Sequence, residues 1–162
     1  MNAFGERQHV EKFLPNTIRK VLRGEMVTIH TDAERKRSGS RFYIHARNVS
    51  AALLFLSFYA DKKAGKFNIA GEREVSNLEL AQTVARLLKQ PLRYEMVDFH
   101  SSRPGHDLRY ALDGGVLERA GWRPTVNFDD SLRRTVMWYL RNRRWLEHFP
   151  EETEDGMERR DN

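Results

Sequence analysis

A chain of 162 residues has room for one domain with a real core and little more, and a hydrophobic share of 40% with 10% aromatics excludes a disordered protein. The absence of cysteine excludes disulfides, thiolate metal sites and cysteine nucleophiles, and it fits a reducing, cytoplasmic setting. The net charge of +5 raises nucleic acid as a partner, but the basic clusters "ERKR" (34–37) and "LRRTVMWYLRNRRW" (132–145) come without a glycine-aromatic RNA signature, zinc-finger spacing or a long basic run, and solvated helix faces explain them better.

The opening "MNAFGERQHVEKF" has no apolar core segment of the kind a signal peptide needs. "HVEKFLPNTIRKVLRG" (9–24) then places Phe13, Leu14, Ile18, Val21 and Leu22 at helical spacing, with Pro15 in the first turn and Gly24 as the stop. "MVTIH" (26–30) predicts a strand, "TDAERKRSGS" a polar loop, and "RFYIHA" (41–46) a second short strand. "NVSAALLFLSFYADKKAG" (48–65) is apolar on nearly all sides of a helix, which predicts burial on two faces. Its apolar run 51–60 is too short to span a membrane, so no membrane partner is expected.

"KFNIAG" (66–71) reads as another strand. In "VSNLELAQTVARLLKQP", Ser76 and Glu79 form a capping box, Val75 is placed to staple against Leu80, and Leu78, Ala81, Val84, Ala85 and Leu88 share one face. "RYEMVDF" (93–99) predicts a strand. Leu108, Tyr110 and Leu112 alternate with polar residues as in a half-buried strand. Asp113 caps a short helix that stops at Gly121, and "NFDDSLRRTVMWYLRNRRW" is the last helix, with Leu132, Val136, Tyr139 and Leu140 inward. Residues 1–149 form the expected domain, and 150–162 a charged, disordered tail. The class is α/β, but strands this short and irregularly spaced do not make a complete doubly wound domain.

Between the strand at 93–99 and Leu108 lies "SSRPGHD". Pro-Gly at its centre fits a type II turn, with Arg103 and His106 first and fourth and their Cα atoms within about 7 Å. Two such donors suit an anion with adjacent oxygens such as a diphosphate; a plain surface turn with charged shoulders fits the local pattern as well. No Gly-rich loop follows a strand, so the sequence carries neither a dinucleotide fingerprint nor a P-loop. Tyr59 and Lys63 have the Tyr-x-x-x-Lys spacing of reductases, here at a helix end running into "KKAG", and read as a coincidence. His100, His106 and Asp107 lack the further ligands and the i, i+4 spacing of a metal site, so no metal is expected, and nothing pairs Asp98 with Asp107 as working carboxylates.

Taken in order, five segments resemble the C-terminal, substrate-binding part of dTDP-glucose 4,6-dehydratases, in the extended short-chain dehydrogenase/reductase superfamily. "NAFGERQHVEKFLP" is similar to that family's Asn-Asn-Tyr-Gly-Pro segment followed by Glu-Lys-hydrophobic-Ile-Pro. "GSRFYIHARNVSAAL" resembles its Arg-Asp-Trp-x-x-Val-x-Asp strand and helix, and "KFNIAGEREVSNLEL" its Tyr-Asn-Ile-Gly-Gly segment. "RPGHDLRYALD" is the most specific match, and "GWRPTVNFDDSLRRTVMWYL" resembles the closing helix segment. Ala3, Glu6, Phe42 and Asn48 depart from the pattern, where the family has asparagine, proline, aspartate and aspartate.

The resemblance implies a fold and a site. The fold is the substrate-binding lobe of an extended short-chain dehydrogenase/reductase without the Rossmann half. In the site Arg103 and His106 bind the diphosphate of a dTDP-sugar, with Arg41 contributing from the earlier strand. Asn2 contacts the sugar-diphosphate region, Lys12 and Phe13 lie against the nucleotide, and Asn77 adds a donor at its helix N-terminus. The family's NAD fingerprint and catalytic residues have no counterpart here, so the resemblance implies a nucleotide-sugar-binding domain that binds no NAD and is inactive alone. Two alternatives stand beside it: half of a split enzyme completed in trans by a Rossmann-bearing chain, and a basic nucleic-acid- or protein-binding module that keeps the fold. The apolar helix 48–60 adds an expectation of homo-oligomers.

Overall fold

The computed structural model describes residues 2–59, 66–98 and 108–147. The Arg103–His106 turn, Lys63, His100, Asp107 and the tail 150–162 lie outside the described residues.

One strand organises the main sheet. β3 (Ser40–His45) pairs in parallel with β1 (Asn2–Phe4), placing Asn2 opposite Tyr43 and Phe4 opposite His45. It pairs antiparallel with β4 (Glu74–Ser76) and in parallel with the two-residue β6 (Arg109–Tyr110), which sets Arg41 opposite both Val75 and Tyr110. A separate parallel pair joins β2 (Val27–Thr31) to β5 (Tyr94–Asp98). The mixed α/β class expected from the sequence is therefore observed.

The helices follow their sequence signals closely. α1 (Phe13–Arg23) carries Pro15 in its first turn and ends on Gly24 at φ 67°, a left-handed conformation that glycine adopts without strain. α3 (Asn77–Leu88) starts from Ser76, whose Oγ accepts the Glu79 N–H at 3.0 Å. The other half of the expected capping box is not formed, because the Glu79 carboxylate accepts from Arg73 at 2.7 Å. α4 (Gly115–Arg119) follows Asp113, whose carboxylate accepts the Gly115 N–H, and the chain turns away at Gly121, φ 99°. α5 (Phe128–Arg141) is capped by Asn127 and buries Leu132, Val136 and Tyr139 completely; a short α6 (Arg144–Glu147) closes the described chain. α1, α3 and α5 pack one apolar core with β2, β3 and β4, and a smaller cluster joins Ile44, Ala52, Ile69, Leu117 and Trp122.

Three expectations are corrected. α2 (Ala46–Phe58) is buried on one face only: Asn48 and Ala52 point inward, while Leu53, Leu54 and Phe58 stand 56%, 62% and 82% exposed, because no described element packs against that side. The segment 66–71 forms no strand. It passes β3 at backbone contact, where a Cβ on Gly71 would fall 2.1 Å from the Tyr43 carbonyl oxygen, and the ladder goes to β4 instead. The predicted half-buried strand at 108–112 shortens to β6, with Tyr110 and Leu112 facing outward.

Candidate functional site

Three of the proposed ligand-binding residues, Asn2, Arg41 and Asn77, gather around β3. Arg41 donates from Nη1 to the carbonyls of Ser40 and Leu108, at 2.7 and 2.5 Å, and its guanidinium lies over the Tyr110 ring, 4.6 Å from the centroid. This is a cation–π contact that fixes a long side chain over a flat aromatic surface. Asn2, one strand away, lines the same small cleft as Arg41, Ile69 and Tyr110.

Gly39 holds these parts close. A Cβ there would fall 3.0 Å from the Leu108 carbonyl, 3.3 Å from Asn77 Nδ2 and 3.7 Å from Arg41 Nη1. Its carbonyl accepts the Asn77 N–H at 2.7 Å, and Asn77 Oδ1 accepts the Tyr43 hydroxyl at 2.7 Å. The Asn77 main-chain donor and side-chain acceptor are thus engaged within the fold, and Nδ2 is the atom that faces the Gly39 crossing. Burial, the larger effect, pushes the Tyr43 hydroxyl well above the ordinary phenol range, so it remains a donor.

Beside Arg41 a charged clamp fixes the strand register. Arg109 donates to both carboxylate oxygens of Glu74, Nε and Nη2 each at 2.8 Å, and the Ser40 hydroxyl donates to the same carboxylate. The Arg109 fork foremost, then Ser40, hold the Glu74 carboxyl below its usual range. Sequence reading missed this clamp and the role of Tyr110. Arg109 and Tyr110 follow the Arg-Pro-Gly-His-Asp stretch closely in sequence, whereas Glu74 is brought to them through the β3 ladders.

Lys12 and Phe13 sit elsewhere. Lys12 is the exposed N-cap of α1, and Phe13 lines a hollow of about 340 Å³ with Asn16, Lys20, Thr28 and His30. The His30 carbonyl accepts the Gly39 N–H at 3.0 Å, which links the hollow to the Arg41 region through the main chain, but Phe13 and Arg41 line no common cleft among the described pockets. Arg103 and His106 lie outside the described residues, and the described chain resumes at Leu108, the residue whose carbonyl Arg41 holds.

The fold that carries this arrangement is similar to those of solved dehydratase and epimerase structures. Over 87% of its length the chain superimposes on a UDP-glucuronic acid 4-epimerase from Bacillus cereus with a TM-score of 0.74 at 17% identity, a likeness of fold. A dTDP-glucose 4,6-dehydratase from Streptomyces venezuelae aligns with a TM-score of 0.73 at 35% identity, covering 90% of this chain and 44% of that one. In fold the chain is thus similar to a part of dehydratase and epimerase structures, somewhat under half of each.

Sequence narrows the class. Over nine-tenths of its length the chain is similar to a C-terminal portion of dTDP-glucose 4,6-dehydratases, as its motif order implied. It is 32% identical to dTDP-glucose 4,6-dehydratase 1 of Escherichia coli K12 over 91% of this chain and 41% of the relative, and 34% identical to the Neisseria gonorrhoeae enzyme over 88% and 42%. The chain therefore spans about two-fifths of the length of these relatives. No family model matches it.

The dehydratase structure from Bacillus anthracis that also aligns, at 26% identity and a TM-score of 0.72, is a complex with NAD. The described residues here do not fit that cofactor. β3 passes into α2 through His45-Ala46 and β4 into α3 through Ser76-Asn77 without a glycine, and the glycines at the other junctions, Gly5 after β1 and Gly114-Gly115 before α4, lack the Gly-x-Gly-x-x-Gly spacing that lets a backbone approach a pyrophosphate. No group of three or more residues suited to a metal occurs among the described residues, and none of their helices is long and apolar enough to cross a membrane.

Proposed function

We propose that this segment binds the nucleotide-diphosphate end of a dTDP-sugar, and that within these 162 residues it binds without catalysing. The observation that carries the reading is the Arg41 contact with Leu108 and Tyr110. It ties the β3 arginine to the residues that follow Arg-Pro-Gly-His-Asp in the sequence, so a diphosphate held by Arg103 and His106 would have in Arg41 a third cation, one bonded two positions further along the chain than His106. Guanidinium forks suit phosphate oxygens, and the α3 N-terminus at Asn77 adds a favourable field. The similarity to dTDP-glucose 4,6-dehydratases supplies the nucleotide.

Charge-assisted hydrogen bonds contribute about 1.5–3 kcal/mol each, and ordering the ligand and side chains offsets much of that, leaving an affinity of roughly high micromolar to millimolar. Titration with dTDP should therefore raise the melting temperature only above that range, growing as the logarithm of ligand concentration. Arg103→Ala should abolish the shift, while Arg119→Ala, on α4 outside the site, should keep it. Equal loss in both variants would mean that general positive charge holds the nucleotide. Incubation with NAD and dTDP-glucose should give no 4-keto product above a blank.

A further inference from the structure

A second cavity, of about 190 Å³, lies away from the Arg41 cleft, between the N-terminal ends of α2 and α5. Glu6, His45, Arg47, Asp130 and Arg134 face it. His45 is only 3% exposed and caps α2: its Nδ1 accepts the Arg47 N–H at 3.1 Å. An imidazole that accepts at Nδ1 carries its proton on Nε2. That Nε2 is buried without a hydrogen-bond partner, and Phe4 holds the ring edge-on at 5.2 Å. Its nearest charged neighbour is the Glu6 carboxylate, 3.4 Å away.

The charges around it are unevenly committed. The Asp130 carboxylate accepts from Asn127 at 2.7 Å and Arg133 at 3.3 Å. Arg47 and Arg134 form no close ion pair among the described residues, although Arg134 is near enough to Asp130 to help hold its carboxyl down, and both arginines help lower the pH at which His45 takes up a second proton. Burial is the largest cause of that depression, and Glu6 works against it. A buried, unpaired N–H donor facing two uncommitted guanidiniums costs free energy unless something fills the space. At about 30 Å³ per water, the cavity has room for about six waters or for one tetrahedral oxyanion with some of them.

We propose that this cavity binds hydrogen phosphate: two anionic oxygens take Arg47 and Arg134, one accepts from His45 Nε2–H, and the P–OH donates to Glu6. The acidic residue decides the ligand's chemistry. A fully deprotonated anion would bring oxygen lone pairs against the Glu6 carboxylate, whereas a hydroxyl-bearing one supplies the donor that the carboxylate needs. Sulfate, with the same shape and no hydroxyl at neutral pH, is disfavoured.

The test follows His45 in the full chain by imidazole ¹⁵N–¹H NMR, titrating inorganic phosphate against sulfate at constant ionic strength. Phosphate should move the His45 Nε2 signal saturably and raise the pH at which the ring titrates, because a bound anion favours the charged imidazolium. Arg134→Ala, an exposed position, should weaken the response roughly tenfold, the loss of one charge-assisted contact. Arg86→Ala on α3 should not change it. Glu6→Gln should remove the preference over sulfate. Arg41→Ala should keep the phosphate response even where it loses dTDP, which separates this site from the nucleotide site. An equal response to sulfate and phosphate, an unaltered response in Arg134→Ala, or no saturable movement of His45 overturns the proposal.

Discussion

At the scale of single residues, Asn48 shows most directly how a side chain fixes a loop. It is 4% exposed, its Oδ1 accepts from the Thr125 and Val126 main-chain N–H groups and the Thr125 hydroxyl, and its Nδ2 donates to the Val126 carbonyl at 2.8 Å. Asn48→Ala leaves buried donors and an acceptor unsatisfied and should cost about 3 kcal/mol in chemical denaturation. Asn48→Asp keeps the three acceptor contacts but sets a second carboxyl oxygen against the Val126 carbonyl, a contact that is favourable only when that oxygen carries a proton, so its cost should grow as pH rises through the carboxyl's titration. From the sequence Asn48 stood out only as a departure from the dehydratase pattern, because its partners are more than seventy positions away. The same limit applied to the candidate site. Arg41 was legible from its strand and motif, whereas Glu74, Tyr110 and Gly39 take their meaning from strand pairing, which residue spacing does not encode.

At the scale of elements, local signals were read well where they are chemical. Ser76, Gly24, Asp113 and Asn127 act at their helix ends through atoms that a sequence displays. The reading failed where burial depends on neighbours. "KFNIAG" has a strand's composition, yet Gly71 exists to let two backbones touch. α2 is apolar enough to be enclosed, yet this chain encloses one side of it. Leu53, Leu54 and Phe58 leave an apolar face in water, and such faces are driven to associate. A second copy of the chain, or a Rossmann-bearing partner chain, would cover it. Sedimentation of the pure chain should show a dimer or larger species, and Leu54→Glu with Phe58→Glu should shift it toward monomer. A strictly monomeric species at high concentration would count against this.

At the scale of the whole molecule, one carbonyl near the start of the described chain gathers two side chains from its end. Gln8 O accepts the Tyr139 hydroxyl and the Trp145 Nε1–H, each at 3.1 Å. Burial, foremost, pushes the Tyr139 hydroxyl up to about 12. A phenol with a raised folded-state value contributes stability that is whole below about pH 10, where the unfolded tyrosine starts to ionise, and is lost as pH rises toward 12. Tyr139→Phe should cost about 1 kcal/mol at pH 7 and show a shallower alkaline decline, with Tyr43 supplying what remains. Stability measured by denaturant at pH 7, 10 and 11 checks both. The Gln8 contact also has a consequence for folding during synthesis. The segment around Gln8 is fastened by side chains made 131 and 137 positions later, so its native contacts close only late in translation. Nascent chains stalled after Asn127 should remain open to protease, and resistance should appear only once Trp145 has cleared the exit tunnel.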